Sequence, residues 1–139
     1  MLLTPKRRKH RKQMVKPISG KAQRGNSVAF GTYGLKAVTS GFVTNRQLES
    51  ARKVISRYTK KIWKMWMRVF PDVPITKLGL EMPMGKGKGE VDRYAARVKR
   101  GRVVFEITGL SHDAAVETLI KASKKLPTQC RVVVKWDIR

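Results

Sequence analysis

Acidic residues are scarce in this chain and missing from its first third. Nine Asp and Glu stand against 32 Lys and Arg over 139 residues, and the first acid is Glu49. Such a surface cannot neutralise itself, and a net charge of +23 with a pI near 11.1 calls for an anionic partner. Nucleic acid fits best, with an anionic membrane surface second. Cysteine occurs once, at Cys130, which excludes an internal disulfide and fits a reducing compartment. With only His10 and His112 beside it, no zinc-ligand spacing arises, so no metal or other cofactor is expected. No apolar run approaches the roughly 18–20 residues that span a membrane. The basic start lacks the apolar stretch of a secretory signal behind it, so the chain reads as untargeted and intracellular.

What is present supports a fold. Hydrophobic residues make up 41% of the chain, enough for a core and too many for full disorder. Residues 1–26 stand apart: they hold nine bases (Lys6, Arg7, Arg8, Lys9, Arg11, Lys12, Lys16, Lys21, Arg24), no acid, and little apolar periodicity. This is the pattern of a basic arm that is extended in water and orders on RNA. Residues 27–139 then form a single α+β domain.

Within that domain, residues 27–43 read as short strands broken by Gly31, Gly34 and Gly41, with Val28, Phe30, Tyr33, Leu35 and Val38 as one buried face. Phe30 is assigned to the core, and Tyr33 is open between core and base stacking. "TNRQ" at 44–47 is a capping box for a helix to about residue 60, with an apolar stripe of Leu48, Ala51, Val54, Ile55 and Tyr58. Arg46, Arg52, Lys53, Arg57, Lys60 and Lys61 fall mostly off that stripe. "IWKMWMRVF" at 62–70 reads as a strand whose aromatics, Trp66 among them, are core, with Trp63 at its margin. "PDVP" at 71–74 reads as a turn. The runs 93–99 and 102–109, joined at Arg100–Gly101, read as an antiparallel hairpin. Ser111 opens a second helix to about residue 125, with Ala115, Val116, Leu119, Ile120 and Ala122 buried, and "CRVVVKW" at 130–136 is a last strand. The expected fold is two helices packed on a mostly antiparallel sheet.

The segment "MGKGKGE" at 84–90 raises the question of phosphate. A nucleotide-cleaving P-loop needs G-x-x-x-x-G-K-[ST], but Gly85, Gly87 and Gly89 alternate here and Glu90 stands where a hydroxyl is required. The dinucleotide-binding spacing fails too. Glycines instead allow close backbone approach, and Lys86 and Lys88 would set two cations against a phosphodiester backbone. A Cys130–His112 nucleophile pair is outweighed by a small buried residue in a strand, and no acid–base pair stands out, so the chain does not read as an enzyme.

"MLLTPKRRKHRKQ" at the start, "FGTYGLKA" at 30–37, "TNRQLESAR" at 44–52, "WMRVFPDVPIT" at 66–76 and "MGKGKGE" at 84–90 together resemble bacterial-type ribosomal protein sixteen of the large subunit, the universal uL16 family. The resemblance covers nearly the whole chain. It implies an α/β-hammerhead-like fold, binding to large-subunit ribosomal RNA near the peptidyl-transferase region and central protuberance, and contact with aminoacyl- and peptidyl-site tRNA. It implies other large-subunit proteins as neighbours, no membrane, no homo-oligomer, and a cytoplasmic ribosome in preference to an organellar one, since nothing extra precedes the family's usual N-terminus. Carried onto this chain, RNA approach falls to Lys6, Arg7, Arg8, Lys9, Arg11, Lys12 and Lys16 of the arm and to Lys86 and Lys88 of the loop. Gly85, Gly87 and Gly89 would give close backbone approach, and Arg46 and Arg52 of the first helix are further positions. Many bacterial members carry an arginine before the glycine run, hydroxylated in some; Pro83 stands there in this chain, and one cationic contact is lost. A free RNA-binding or chaperone protein is the alternative reading.

Overall fold

A computed structural model of the chain describes residues 3–59 and 64–135. The order is β1 (Tyr33–Ala37), β2 (Gly41–Thr44), α1 (Asn45–Thr59), β3 (Lys64–Met67), β4 (Val73–Lys77), β5 (Glu90–Val98), β6 (Val103–Thr108), α2 (His112–Ser123) and β7 (Cys130–Val134). Strands β3-β6-β1-β7 form one sheet and β2-β5-β4 a second, with every neighbouring pair antiparallel. The fold is α+β, as expected, with its strands divided between two sheets.

A local signal sets α1, whereas the Ser111 side chain expected to cap α2 makes no capping hydrogen bond. Thr44 and Gln47 close the capping box in both directions: the Thr44 amide donates to Gln47 Oε1 at 2.9 Å, and the Gln47 amide donates to Thr44 Oγ1 at 3.3 Å. Leu48, Ala51 and Ile55 of α1 and Ala115, Leu119 and Ala122 of α2 are fully buried, and the two helices pack on each other and on the strands. Leu35, Val43, Val98, Phe105 and Ile107 complete the same core. Both expected stripes are too wide at one edge. Tyr58 and Ile120 are about half exposed, whereas Thr118 is buried because its hydroxyl bonds the Ala114 carbonyl at 2.7 Å. Tyr58 serves instead as a platform for Lys121, whose Nζ lies 4.0 Å from the ring centroid.

Three strand expectations are corrected. The hairpin over 93–109 does not form: β5 and β6 lie in different sheets. Both pair with the stretch 33–44, Lys36 opposite Val103 and Gly41 opposite Val98. Residues 90–108 are thus one long path that turns a corner at 99–102. The corner is fixed across to Ala37, whose carbonyl accepts from the Gly101 amide at 2.6 Å and whose amide donates to the Arg102 carbonyl at 2.8 Å. At 71–74, Val73 and Pro74 open β4; as an edge strand it tolerates the missing N–H of Pro74. Within the described part of the strand read over 62–70, residues 64–70, only β3 is strand, although the Arg68 amide still reaches the Val104 carbonyl at 2.9 Å. Lys60, Lys61, Trp63 and Trp136 lie outside the described residues.

The buried face of 27–43 is also only partly as expected. Val28 and Leu35 are buried, but Phe30 is 60% exposed and Val38 48%. Residues 27–32 cross the face of β6 as a strap.

Candidate nucleic-acid interface

The glycine run lies in the loop of residues 78–89 that joins β4 to β5, closed at its base by Lys77 opposite Glu90. Gly85 and Gly87 sit at φ of +103° and +101°, which residues with a Cβ rarely adopt, and a Cβ on either would meet nothing within 4 Å. Gly89 is used differently. A Cβ there would lie 2.6 Å from the Lys77 carbonyl oxygen, so its close approach is to the protein's own backbone.

The arm lies across this loop. Lys12 Nζ donates to the Lys88 carbonyl at 2.9 Å, and Lys88 Nζ donates to the Gln13 carbonyl at 2.8 Å. This exchange joins residues more than seventy positions apart. Glu90 sits beside it, 3.3 Å from Arg11 Nη2 and 3.5 Å from Lys12 Nζ. Farther along β5, Arg97 Nη2 donates to the carbonyls of Lys16 and Pro17 at 3.3 and 3.0 Å. Arg8 lies 6.0 Å from the Tyr94 ring centroid and donates to Gln13 Oε1 at 3.2 Å.

Exposed contacts of this kind are screened and individually weak. They nevertheless bring two separate cation sets together along β5 and the loop before it: Arg8, Arg11, Lys12 and Lys16 of the arm with Lys88 of the loop. Lys6, Arg7, Lys9 and Lys86 are solvent-exposed within the same two segments. The result is a row of charges carried on backbone without regular secondary structure, suited to tracking a phosphate chain and poorly suited to holding a small substrate.

Arg46 and Arg52 stand apart on α1. Arg46 is exposed. Arg52 makes two bonds to Glu49, Nη2 to Oε1 at 2.7 Å and Nε to Oε2 at 3.0 Å. Its guanidinium holds the Glu49 carboxyl down at about 2, and Glu49 in turn raises the pKa of Arg52.

Sequence reasoning passed over several cations. Arg97 is among them, since the run 93–99 is read from the sequence only as one strand of a hairpin. Lys21, Lys36, Arg100 and Arg131 line a hollow of about 400 Å³ with no carboxylate among its lining residues. Lys21 is placed there by its bridge to Arg100. Among the described residues no cluster of His, Cys, Asp or Glu is arranged to hold a metal ion, and no helix is long and apolar enough to cross a membrane. Cys130 is half-buried, and burial pushes its thiol pKa up, away from the reactive thiolate.

With this geometry, comparison with known proteins is decisive. The family model described as ribosomal protein L16p/L10e matches residues 5–133. The chain belongs to that family. It is 48% identical over 136 residues to the large ribosomal subunit protein uL16 of Christiangramia forsetii, covering 98% of each chain. It is 45% identical over 138 residues to the protein of the same name from Borrelia recurrentis, covering 99% of this chain and all of that one. Family membership makes this a structural protein of the ribosome and not an enzyme, with ribosomal RNA and other ribosomal proteins as its surroundings.

Proposed function

We propose that this protein is a structural constituent of the large subunit of a cytoplasmic ribosome and acts there as an RNA clamp. Residues 1–26 form the arm and 27–139 the body. The clamp is the arm laid on the glycine loop, and the reciprocal Lys12–Lys88 bonding is the observation that carries this reading. Lys6, Arg7, Arg8, Lys9, Arg11, Lys12, Lys16, Lys86 and Lys88 neutralise phosphates of large-subunit RNA and release counterions, which supplies affinity without base readout. Gly85 and Gly87 let the backbone follow the RNA closely. Arg46 and Arg52 offer a second, smaller contact on α1.

On this reading, which the family resemblance supports, the clamp lies near the peptidyl-transferase region and central protuberance, beside aminoacyl- and peptidyl-site tRNA. There RNA performs peptide transfer, and the protein fixes a junction of RNA helices and supports the tRNA. The test is sedimentation of the tagged protein from lysate through a sucrose gradient in high salt with Mg²⁺. Co-migration with the large subunit, collapsing to the top of the gradient after ribonuclease, is the expected result. Recovery at the top without ribonuclease would instead mark a free RNA-binding protein.

A further inference from the structure

Phe30 is 60% exposed although it lies on the most heavily fastened segment of the irregular N-terminal chain. The fastening begins at Glu106, whose side chain is fully buried. Its Oε2 accepts from the amides of Phe30 at 2.7 Å and Gly31 at 2.8 Å, and its Oε1 accepts from the amide of Ala29 at 3.2 Å. Arg68 pairs with the same carboxylate and donates to the Ser27 carbonyl at 3.3 Å. Gly31 lies so close to β6 that a Cβ on it would stand 2.7 Å from the Ile107 carbonyl oxygen. Thr32 ends the strap, its amide on the Ile107 carbonyl and its hydroxyl 3.0 Å from that of Thr108.

The ring rests on two neighbouring side chains. Trp66 pairs directly with Glu106 across the sheet, so the two share a face, and Arg68, two residues on, points the same way. Phe30 lies over both, its centroid 6.2 Å from that of Trp66 at an interplanar angle of 23°, and 5.1 Å from the Arg68 guanidinium carbon. An exposure of 60% despite these two contacts leaves much of the ring open to solvent. A buried acid, an arginine and a tryptophan thus hold an aromatic ring outward on rigid backbone. Hydrophobic burial alone would have turned the ring in.

The surroundings are basic. Lys135 donates its amide to the Thr32 carbonyl at 2.9 Å, and Lys64 lies opposite Thr108; both side chains are exposed. The acid beneath the ring is buried and paired. We infer that Phe30, stacked on Trp66 and Arg68, is a platform for an unpaired base of RNA, with Lys64 and Lys135 at the flanking phosphates. The exposed part of the ring takes the base, and the cations take the backbone on either side. This rests on the RNA-clamp reading and adds to it a contact outside the arm and loop.

The test uses the full chain and a protein-free large-subunit ribosomal RNA transcript, with binding measured over a range of salt. Phe30→Leu and Phe30→Trp are compared with the wild type and with a Lys6, Arg7, Arg8 and Lys9 to Ala variant. Thermal melts confirm that the Phe30 variants remain folded. Stacking predicts that Phe30→Leu binds about 5- to 150-fold more weakly. Its salt slope should be unchanged, and Phe30→Trp should bind like the wild type. Ultraviolet irradiation of the complex should give a nucleotide adduct at Phe30. Wild-type affinity in Phe30→Leu, while the arm variant binds weakly, would overturn the platform and leave the clamp standing. Wild-type affinity in both would remove the clamp reading as well. Failure of the Phe30→Leu protein to enter assembled subunits, with its affinity for bare RNA intact, would mark a protein contact and also overturn the platform.

Discussion

Two irregular segments of this chain lie on β-structure, and they are fastened in opposite ways. The strap at 27–32 is held by a buried carboxylate, an arginine and three amides. The arm at 8–17 is held by lysines and arginines that reach exposed carbonyls and by ion pairs open to water. Buried charge networks are unforgiving when a partner is removed, while exposed ones contribute little. The strap therefore sets one geometry, and the arm carries charge on weakly held backbone, which under the proposed function can adapt to the shape of an RNA.

Removing Glu106 should break the strap most severely. Glu106→Ala leaves Arg68 and three amides without their acceptor, and we expect a loss of about 3–5 kcal/mol in unfolding free energy, measured by urea denaturation. A loss below about 1 kcal/mol would mean that water replaces the carboxylate and that the strap is no more firmly held than the arm. Gly31→Ala tests the same segment from its backbone. The added methyl must displace the Ile107 carbonyl or the strap itself, so a loss of about 1–3 kcal/mol is expected.

Acid should separate the regions without mutation. Burial of Glu106 opposes its charge, but the amides of Gly31, Ala29 and Phe30, together with Arg68, outweigh that opposition and hold its pKa below the ordinary value. Glu49, held by Arg52, lies at about 2 against an ordinary 4.5. Carboxylates depressed in the folded state stabilise it fully above their unfolded pKa. That stability is lost as pH falls from about 4.5 through the folded values. Equilibrium unfolding should therefore be level from pH 7 to about 5 and weaken from there to about 2. Glu49→Gln should flatten part of that decline. An equally steep decline in the variant would place its origin elsewhere.

The contrast also explains what could be read in the residues. The α1 capping box was legible because Thr44 and Gln47 are three positions apart and need only each other. The bases of the arm and loop were legible as a set, since charge needs no fold to be counted. Their convergence was not, because it depends on bonds between residues 12–13 and 88. The hairpin reading failed for the same reason. Two strands joined by a short turn usually pair with each other, but β5 and β6 found a common partner in 33–44. Phe30 was assigned inward on its hydrophobicity; an acid 76 positions away holds it outward.

The smallest stability effect belongs to the arm, and there it should coincide with a large change in binding. Replacing Lys6, Arg7, Arg8 and Lys9 together by Ala removes no core contact, so unfolding should shift by no more than about 0.5 kcal/mol. If each base meets one phosphate, each contributes roughly 0.7–0.9 to the slope of log affinity against log salt, and losing four should reduce it by about 3. Affinity would fall most at low salt, and the wild-type and variant curves would converge as salt rises. An unchanged slope would mean that these residues do not meet phosphate, and RNA contact would then fall to the loop, α1 and the strap. A lower slope together with lost stability would show instead that the arm is fastened into the fold as firmly as the strap, and the contrast between adaptable and fixed segments would have to be withdrawn.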